Sequence, residues 1–233
     1  AGQERLLAAR VLVLGLGGMG CPAALYLAAA GVGHLVLADG DDVELSNLQR
    51  QIAHGDADIG VNKARSVANS IAAINPGVQV EVVESRLGGD RMAEIVSRVD
   101  LVLDCSDNYP SRFALNRACI AAGVPLLSAS AVRAEGQVAL FDPVRGGPCY
   151  RCLYAETGAD TALSCSESGV LAPLVGVIGS LQALEALKVL AGFGDDLRGK
   201  LLVLDLKTTE IRSLALGARS GCPACSHLGD RLA

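Results

Sequence analysis

Residues 11–20 read Val11-Leu12-Val13-Leu14-Gly15-Leu16-Gly17-Gly18-Met19-Gly20. Valine and leucine residues at 11–14 form a short apolar strand that stops at Gly15, and residues 20–30, rich in Ala and Leu, form a helix closed by Gly31. A G-x-G-x-x-G run between strand and helix lets the backbone approach a polyphosphate, while the helix N-terminus offers N–H groups and positive partial charge. A second apolar strand at 35–38 ends in Asp39, nineteen positions beyond Gly20, where a carboxylate can accept from ribose hydroxyls. Gly15, Gly17, Gly18 and Asp39 therefore mark a nucleotide site. The loop does not by itself separate ATP from NAD, and the competing reading gives the glycines tight strand–helix packing only.

Working outward, helices at 62–74, 91–99 and 111–122 alternate with strands at 78–83, 101–104 and 126–130, the order of βαβ units. Beyond residue 130 come a strand at 136–141, an irregular stretch rich in Gly, Cys and Ser at 144–172, and a helix from Pro173 to Gly192. An antiparallel pair at 201–206 and 211–216 precedes a Cys-bearing tail. Gln182, Glu185 and Lys188 are expected to give the long helix its polar side, and Val175, Gly176, Gly179 and Ser180 permit close helix packing. The fold class is α/β: a doubly wound, mostly parallel Rossmann-like sheet extended by antiparallel C-terminal strands.

Composition narrows the function. At 51% hydrophobic and 19% charged residues, the chain is far too apolar for disorder. A net charge of -5 weighs against phosphate backbones and anionic lipid, and 3% aromatic residues with no Trp leave little surface for stacking bases. Neither nucleic acid nor membrane is an expected partner. Residues 11–38 and 168–184 carry no Asp, Glu, Lys or Arg, yet the first is broken by glycines and Pro22, and the second has only 17 residues and contains Pro173. No signal peptide is read at the start, so the expected address is the cytoplasm. Thiols stay reduced there, which favours metal or redox roles over disulfides for eight cysteines.

After Asp39 the chain runs Gly40-Asp41-Asp42-Val43-Glu44-Leu45-Ser46-Asn47-Leu48-Gln49-Arg50-Gln51, with Lys63 later at a helix start. A dinucleotide site has no need of these cations. Cleaving a triphosphate builds charge on the leaving pyrophosphate, which Arg50 and Lys63 can neutralise; the alternative for both is a solvated helix face. Asp104-Cys105-Ser106-Asp107-Asn108 ends the fourth strand, where Asp107 can hold magnesium or simply cap a helix. Cys149-x-x-Cys152 and Cys222-x-x-Cys225 form two knuckles suited to one tetrahedral zinc, the competing reading being a redox pair. Cys21, Cys105 and Cys119 read as core residues. His34, His54 and His227 lie outside any acid–base pattern.

Taken together, G-L-G-G-M-G, D-x-D-x-V-x-x-S-N-L-x-R-Q, D-C-S-D-N and two C-x-x-C pairs resemble the ubiquitin-activating superfamily over nearly the whole chain, closest to its bacterial members that adenylate sulfur-carrier proteins. The resemblance implies an enzyme that joins AMP to the C-terminal glycine of a small ubiquitin-like carrier ending in Gly-Gly and releases pyrophosphate, within molybdopterin or thiamine type sulfur transfer. It implies a homodimer using ATP, magnesium and zinc, with a separate protein as sulfur donor. By motif, Gly18 would meet the phosphates, Asp39 the ribose, and Ser46, Asn47, Arg50 and Lys63 the polyphosphate. Asp107 would hold magnesium with Asn108 beside it. Family members usually carry an N-terminal Arg that reaches the partner subunit's ATP; Arg5 and Arg10 do not match its place, and that segment is not expected here. Cys165 corresponds to a cysteine that forms covalent carrier adducts in some relatives, the alternative being a surface or packing thiol. The resemblance also divides a single adenylation domain into a nucleotide-binding half, 1–130, and a carrier-binding, zinc-bearing half, 131–233. Two readings compete: a NAD-binding oxidoreductase, and a non-catalytic nucleotide-binding scaffold.

Overall fold

Alternation along the first strand sets the architecture. In the computed structural model, which describes residues 1–156 and 169–229, β1 (Arg10–Leu14) sends Val11 and Val13 to one face of a sheet and Leu12 and Leu14 to the other. Both faces are apolar, as expected for a strand covered by helices on each side. The first face packs α1 (Gly2–Ala8), α2 (Gly20–Ala29), α3 (Lys63–Ile74) and a long helix, α7 (Ala172–Ala191). The second packs α4 (Gly89–Val96) and α5 (Tyr109–Ala122). Strands β2 (His34–Ala38), β3 (Gln79–Val83), β4 (Leu101–Asp104) and β5 (Leu126–Val132) run parallel to β1. Then β6 (Glu135–Phe141), β7 (Lys200–Asp205) and β8 (Glu210–Ala215) continue the sheet antiparallel, giving the order β3-β2-β1-β4-β5-β6-β7-β8. The chain leaves β1 in one direction and returns to its other side at β4. That reversal opens a crevice at the carboxyl ends of β1 and β4, where such sheets bind ligands.

The glycine turn is sterically determined. Gly15 has φ +88°, and a Cβ there would stand 2.8 Å from the Cys105 carbonyl oxygen; at Gly20 a Cβ would stand 1.9 Å from the Gly15 oxygen. Gly20→Ala is therefore expected to cost about 3 kcal/mol or more, read as a fall in the urea midpoint. An unchanged midpoint would show that the turn can open.

Three departures from the sequence expectation have physical causes. The polar side assigned to the long helix faces inward: Gln182 is fully buried and Glu185 is buried, whereas Val177 and Leu184 are exposed. Gln182 Nε2 donates to the carbonyls of Asp104 and Leu127, tying β4 and β5 together, and Lys188 pairs with Glu185 at 2.5 Å. The same helix has 20 residues and an 18-residue stretch of mean hydropathy 1.6, long and apolar enough to cross a bilayer. Its inner face is nonetheless fixed on the sheet, with half of that stretch buried in the fold. Finally, α1 has no strand–helix signal of its own and was unforeseen, while α6 (Tyr150–Leu153) forms inside the stretch expected to be irregular, where the first cysteine knuckle winds one turn. The second helix of the alternation runs Gly89–Val96 rather than to residue 99.

Candidate active site and metal centre

The crevice is an open cleft of about 720 Å³ whose wall includes Gly15, Gly17, Gly18, Asp39, Asn47, Arg50, Lys63, Asp107 and Asn108. Residues separated by some ninety positions thus meet at one mouth. Gly18 lines the cleft and also packs, since a Cβ there would stand 2.6 Å from Val175 Cγ2. No side chain caps the start of α2, where the Cys21 N–H donates to the Gly17 carbonyl at 3.0 Å, the Ala23 N–H donates to the Met19 carbonyl at 3.2 Å, and Pro22 carries no N–H. Asp39 Oδ2 accepts from Leu16 N–H at 2.7 Å and Oδ1 accepts from Asp41 N–H at 2.9 Å, which fixes the carboxylate and leaves lone pairs for a hydroxyl. Burial pushes its pKa above the ordinary 3.8 although both N–H groups pull it down.

Asn62, which the motifs do not mark, caps α3: its Oδ1 accepts from the Ala64 and Arg65 N–H groups while its Nδ2 donates to the Asp39 and Asp41 carbonyls. This clamp delivers Lys63 to the cleft as the first residue of the helix, 8% exposed, with Asp41 at 3.7 Å. The solvated-face alternative fails for Lys63. Arg50, half-buried, donates to the Ser46 carbonyl at 3.2 Å and lines the cleft. Asn47 is buried beside it, and Gln51, 3% exposed, lines the cleft with an Oε1 that has no partner among the described residues. Ser46 departs from expectation: it is exposed, its hydroxyl donates to Glu44, and it is outside the cleft wall. Asp107 is exposed, contacted by its neighbour Asn108, whose Oδ1 caps α5 through Ser111 N–H at 3.0 Å. The capping function lies with Asn108, so Asp107 is left open to a ligand.

His54 is buried, and it holds the glycine loop. Its Nε2 lies 3.2 Å from the Leu16 carbonyl and its Nδ1 2.8 Å from Ser66 Oγ, so a neutral ring donates to Leu16 and accepts from Ser66. The Leu16 peptide is thus held at both ends, by Asp39 and by His54. Burial lowers the His54 pKa below 6.5. A lowered folded-state value means that the unfolded chain binds the proton first, so this stabilisation is full above 6.5 and fades as pH falls below it. Thermal melts between pH 7 and 5 should therefore decline more steeply for the native protein than for His54→Gln; parallel slopes would remove His54 as the cause. Cys21 lies next to the ring, and burial pushes its thiol up to about 12, consistent with a core role shared by buried Cys105 and Cys119.

At the far side of α5, Cys149, Cys152, Cys222 and Cys225 place their sulfurs within 4.8 Å of one another, with separations of 3.7 Å for Cys149–Cys222 and 3.6 Å for Cys152–Cys225. A tetrahedron with zinc–sulfur arms of about 2.3 Å has edges of about 3.8 Å, so the four thiols fit that ion. Burial pushes the Cys149 thiol up to about 11; Cys222, although buried, is brought down to about 7 by the Ala224 and Cys225 N–H groups. Cys165 lies outside the described residues.

The sequence pattern of the ThiF family matches residues 1–224. The chain belongs to the ThiF family. Within it, the molybdopterin-synthase adenylyltransferase of Escherichia coli (strain K12) is 49% identical over 226 residues, covering 97% of this chain and 90% of that protein. The sulfur carrier protein ThiS adenylyltransferase of the same strain is 47% identical over 224 residues, covering 96% and 88%. The crystal structure of E. coli MccB with ATP superposes with a TM-score of 0.84 at 23% identity, covering 96% of this chain and 68% of that one, which speaks for the fold alone.

Proposed function

We propose that this ThiF-family protein is an ATP-dependent adenylyltransferase acting on the C-terminal glycine of a small ubiquitin-like sulfur-carrier protein that ends in Gly-Gly, for molybdopterin or thiamine type sulfur transfer. The observation that carries the reading is the meeting of Lys63, Arg50 and Asp107 with the glycine loop and Asp39 in one cleft. An oxidoreductase would have no task for the first three.

The carrier carboxylate reaches the site already ionised and needs no general base. One of its oxygens attacks the α-phosphorus of ATP; the new carboxyl–phosphate bond forms as the bond to the bridging oxygen of pyrophosphate breaks, and that oxygen keeps the electron pair. Gly17 and Gly18 let the polyphosphate lie against the backbone, Asp39 accepts from the ribose, and Lys63 and Arg50 neutralise charge that grows on the leaving group. Asn47 supports Arg50, with Ser46 contributing its carbonyl. Asp107, whose carboxylate suits a hard cation, would hold magnesium with Asn108 beside it, and that ion supplies charge neutralisation between phosphate oxygens when bound. The four cysteines would hold a structural zinc that joins the tail to α6. Val177 and Leu184, exposed on α7, support a homodimer in which a second copy covers them. We place the protein in the cytoplasm with a separate sulfur donor, the nucleotide half spanning 1–130 and the carrier-binding half 131–233, and leave Cys165 as a candidate covalent residue.

ATP–pyrophosphate exchange with magnesium, run with intact carriers and with versions lacking the last glycine, tests this. Exchange is expected with an intact tail only. Tight NAD binding in place of ATP, or no exchange with any carrier despite ATP binding, would overturn the reading.

A further inference from the structure

Asp107 has a task in the cleft but almost no contacts of its own. Its carboxylate meets only the amide of Asn108, at 3.4 Å, among the described hydrogen bonds. The backbone on either side must therefore hold it. On one side Asn108 is fixed as the cap of α5. On the other, every polar group of Ser106 is engaged: its N–H and hydroxyl donate to Asp104 Oδ1 at 3.1 and 2.6 Å, and its carbonyl accepts from Arg112 Nη2.

Arg112 is the hub of this arrangement. It lies one turn into α5, 7% exposed, and the same Nη2 donates to the Ala129 carbonyl at 2.9 Å while Nη1 reaches Ser128 Oγ at 3.5 Å and Asp104 Oδ2 at 3.9 Å. Ser128 Oγ in turn donates to Asp104 Oδ2 at 2.8 Å, and Asp104 is fully buried. One guanidinium thus ties the end of β4 and the middle of β5 to the loop that carries Asp107. Tyr150, Tyr154 and Phe141 close the space behind it, and it is absent from the wall of the cleft.

Stability alone is a poor reason for such a group. A buried ion pair roughly offsets its own desolvation, and apolar residues of similar volume often do as well. What apolar residues cannot do is fix two carbonyls and a carboxylate through one rigid, planar fork, and a lysine, with a single nitrogen, can satisfy only part of that set. We infer that Arg112 is a positioning residue for the adenylation reaction, acting through the Ser106 carbonyl to set Asp107 against the metal-bound nucleotide. This rests on the proposed role of Asp107.

Arg112→Lys, Asp107→Asn and their double variant test it. The readouts are a Mn²⁺ titration of the ADP complex followed by electron paramagnetic resonance, and the magnesium dependence of pyrophosphate exchange. Residues that orient a metal ligand usually cost tenfold to a hundredfold in metal affinity or rate when changed, so Arg112→Lys is expected to weaken Mn²⁺ binding by roughly that factor while metal-free ADP binding stays within about twofold. In the Asp107→Asn background the same change should add less than about threefold, because both act at one point. Ser128→Ala, a milder cut in the same network, should move Mn²⁺ affinity in the same direction by less and serves if Arg112→Lys does not fold. Unchanged Mn²⁺ affinity in the folded variants, or losses that multiply in the double variant, would overturn the proposal. Absence of exchange in the native protein would instead strike at the adenylation reading, while the Mn²⁺ titration would still decide the part played by Arg112.

Discussion

Lys63→Met is expected to slow ATP–pyrophosphate exchange by about 10²–10³-fold, with little change in melting temperature. The two halves of that expectation come from different features. Methionine keeps the unbranched stem that fills the buried position, and the ion pair lost is with Asp41, which is 57% exposed and at 3.7 Å, a pair of small worth in water. The ammonium matters for the reaction because it is held, by the Asn62 clamp, in a cleft where few other cations stand. Its effect should fall on the rate rather than on ATP affinity, since negative charge on the pyrophosphate grows as the bond breaks. A loss below tenfold, or one confined to KM, would show that Lys63 binds ATP without selecting the transition state.

Stripping metal from the four cysteines is expected to lower the melting temperature by roughly 10–15 °C. The Cys149–Cys222 contact closes 73 residues of chain, and cross-linking a loop of that size is worth about 4 kcal/mol in the chain-entropy account. For a domain of this size each kcal/mol corresponds to about 2–4 °C. The cluster also has little apolar support, with Ile120, Ala224 and Leu228 only partly buried around it. Chelation should therefore free one equivalent of zinc, read by a colorimetric indicator, and expose the tail after Arg219 to proteases; Cys222→Ser should do the same. A chelated protein that melts at the native temperature would show that the sulfurs pack adequately unloaded.

The legible part of the molecule was the part written in local pattern. Strand, glycine turn and helix at 11–30 and the alternation to residue 130 follow from apolar periodicity and Gly punctuation, the cleft residues Asp39, Arg50, Lys63 and Asp107 follow from their place after the strand ends, and Asn47 from the family resemblance. The four cysteines were legible because each pair sits on one turn. Three things were hidden for a common reason, namely that their partners are distant in sequence. Gln182 and Glu185 look like the wet side of a helix until the strand-end carbonyls of Asp104 and Leu127 are seen opposite Gln182. Arg112, in Tyr109-Pro110-Ser111-Arg112-Phe113, looks like an ordinary helical charge, and Asn62 like an ordinary helix residue. Ser46 is the reverse case, a motif residue that lies outside the cleft wall with its carbonyl accepting from Arg50.

The placement of the cleft also sets when it can exist during folding. β1 pairs with β2 after a short excursion, but its other edge waits for β4, and the bond from Arg10 N–H to Asp100 that leads into this pairing spans 90 residues. Closing so long a loop is entropically the most demanding step in the sheet, whereas β5 to β6 and β7 to β8 are local hairpins. A chain still emerging from the ribosome can pair β1 with β2, yet its cleft is incomplete until β4 has docked. A nucleotide bound in that cleft would then stabilise only chains that have made the longest-range pairing, a late ligand of the finished sheet.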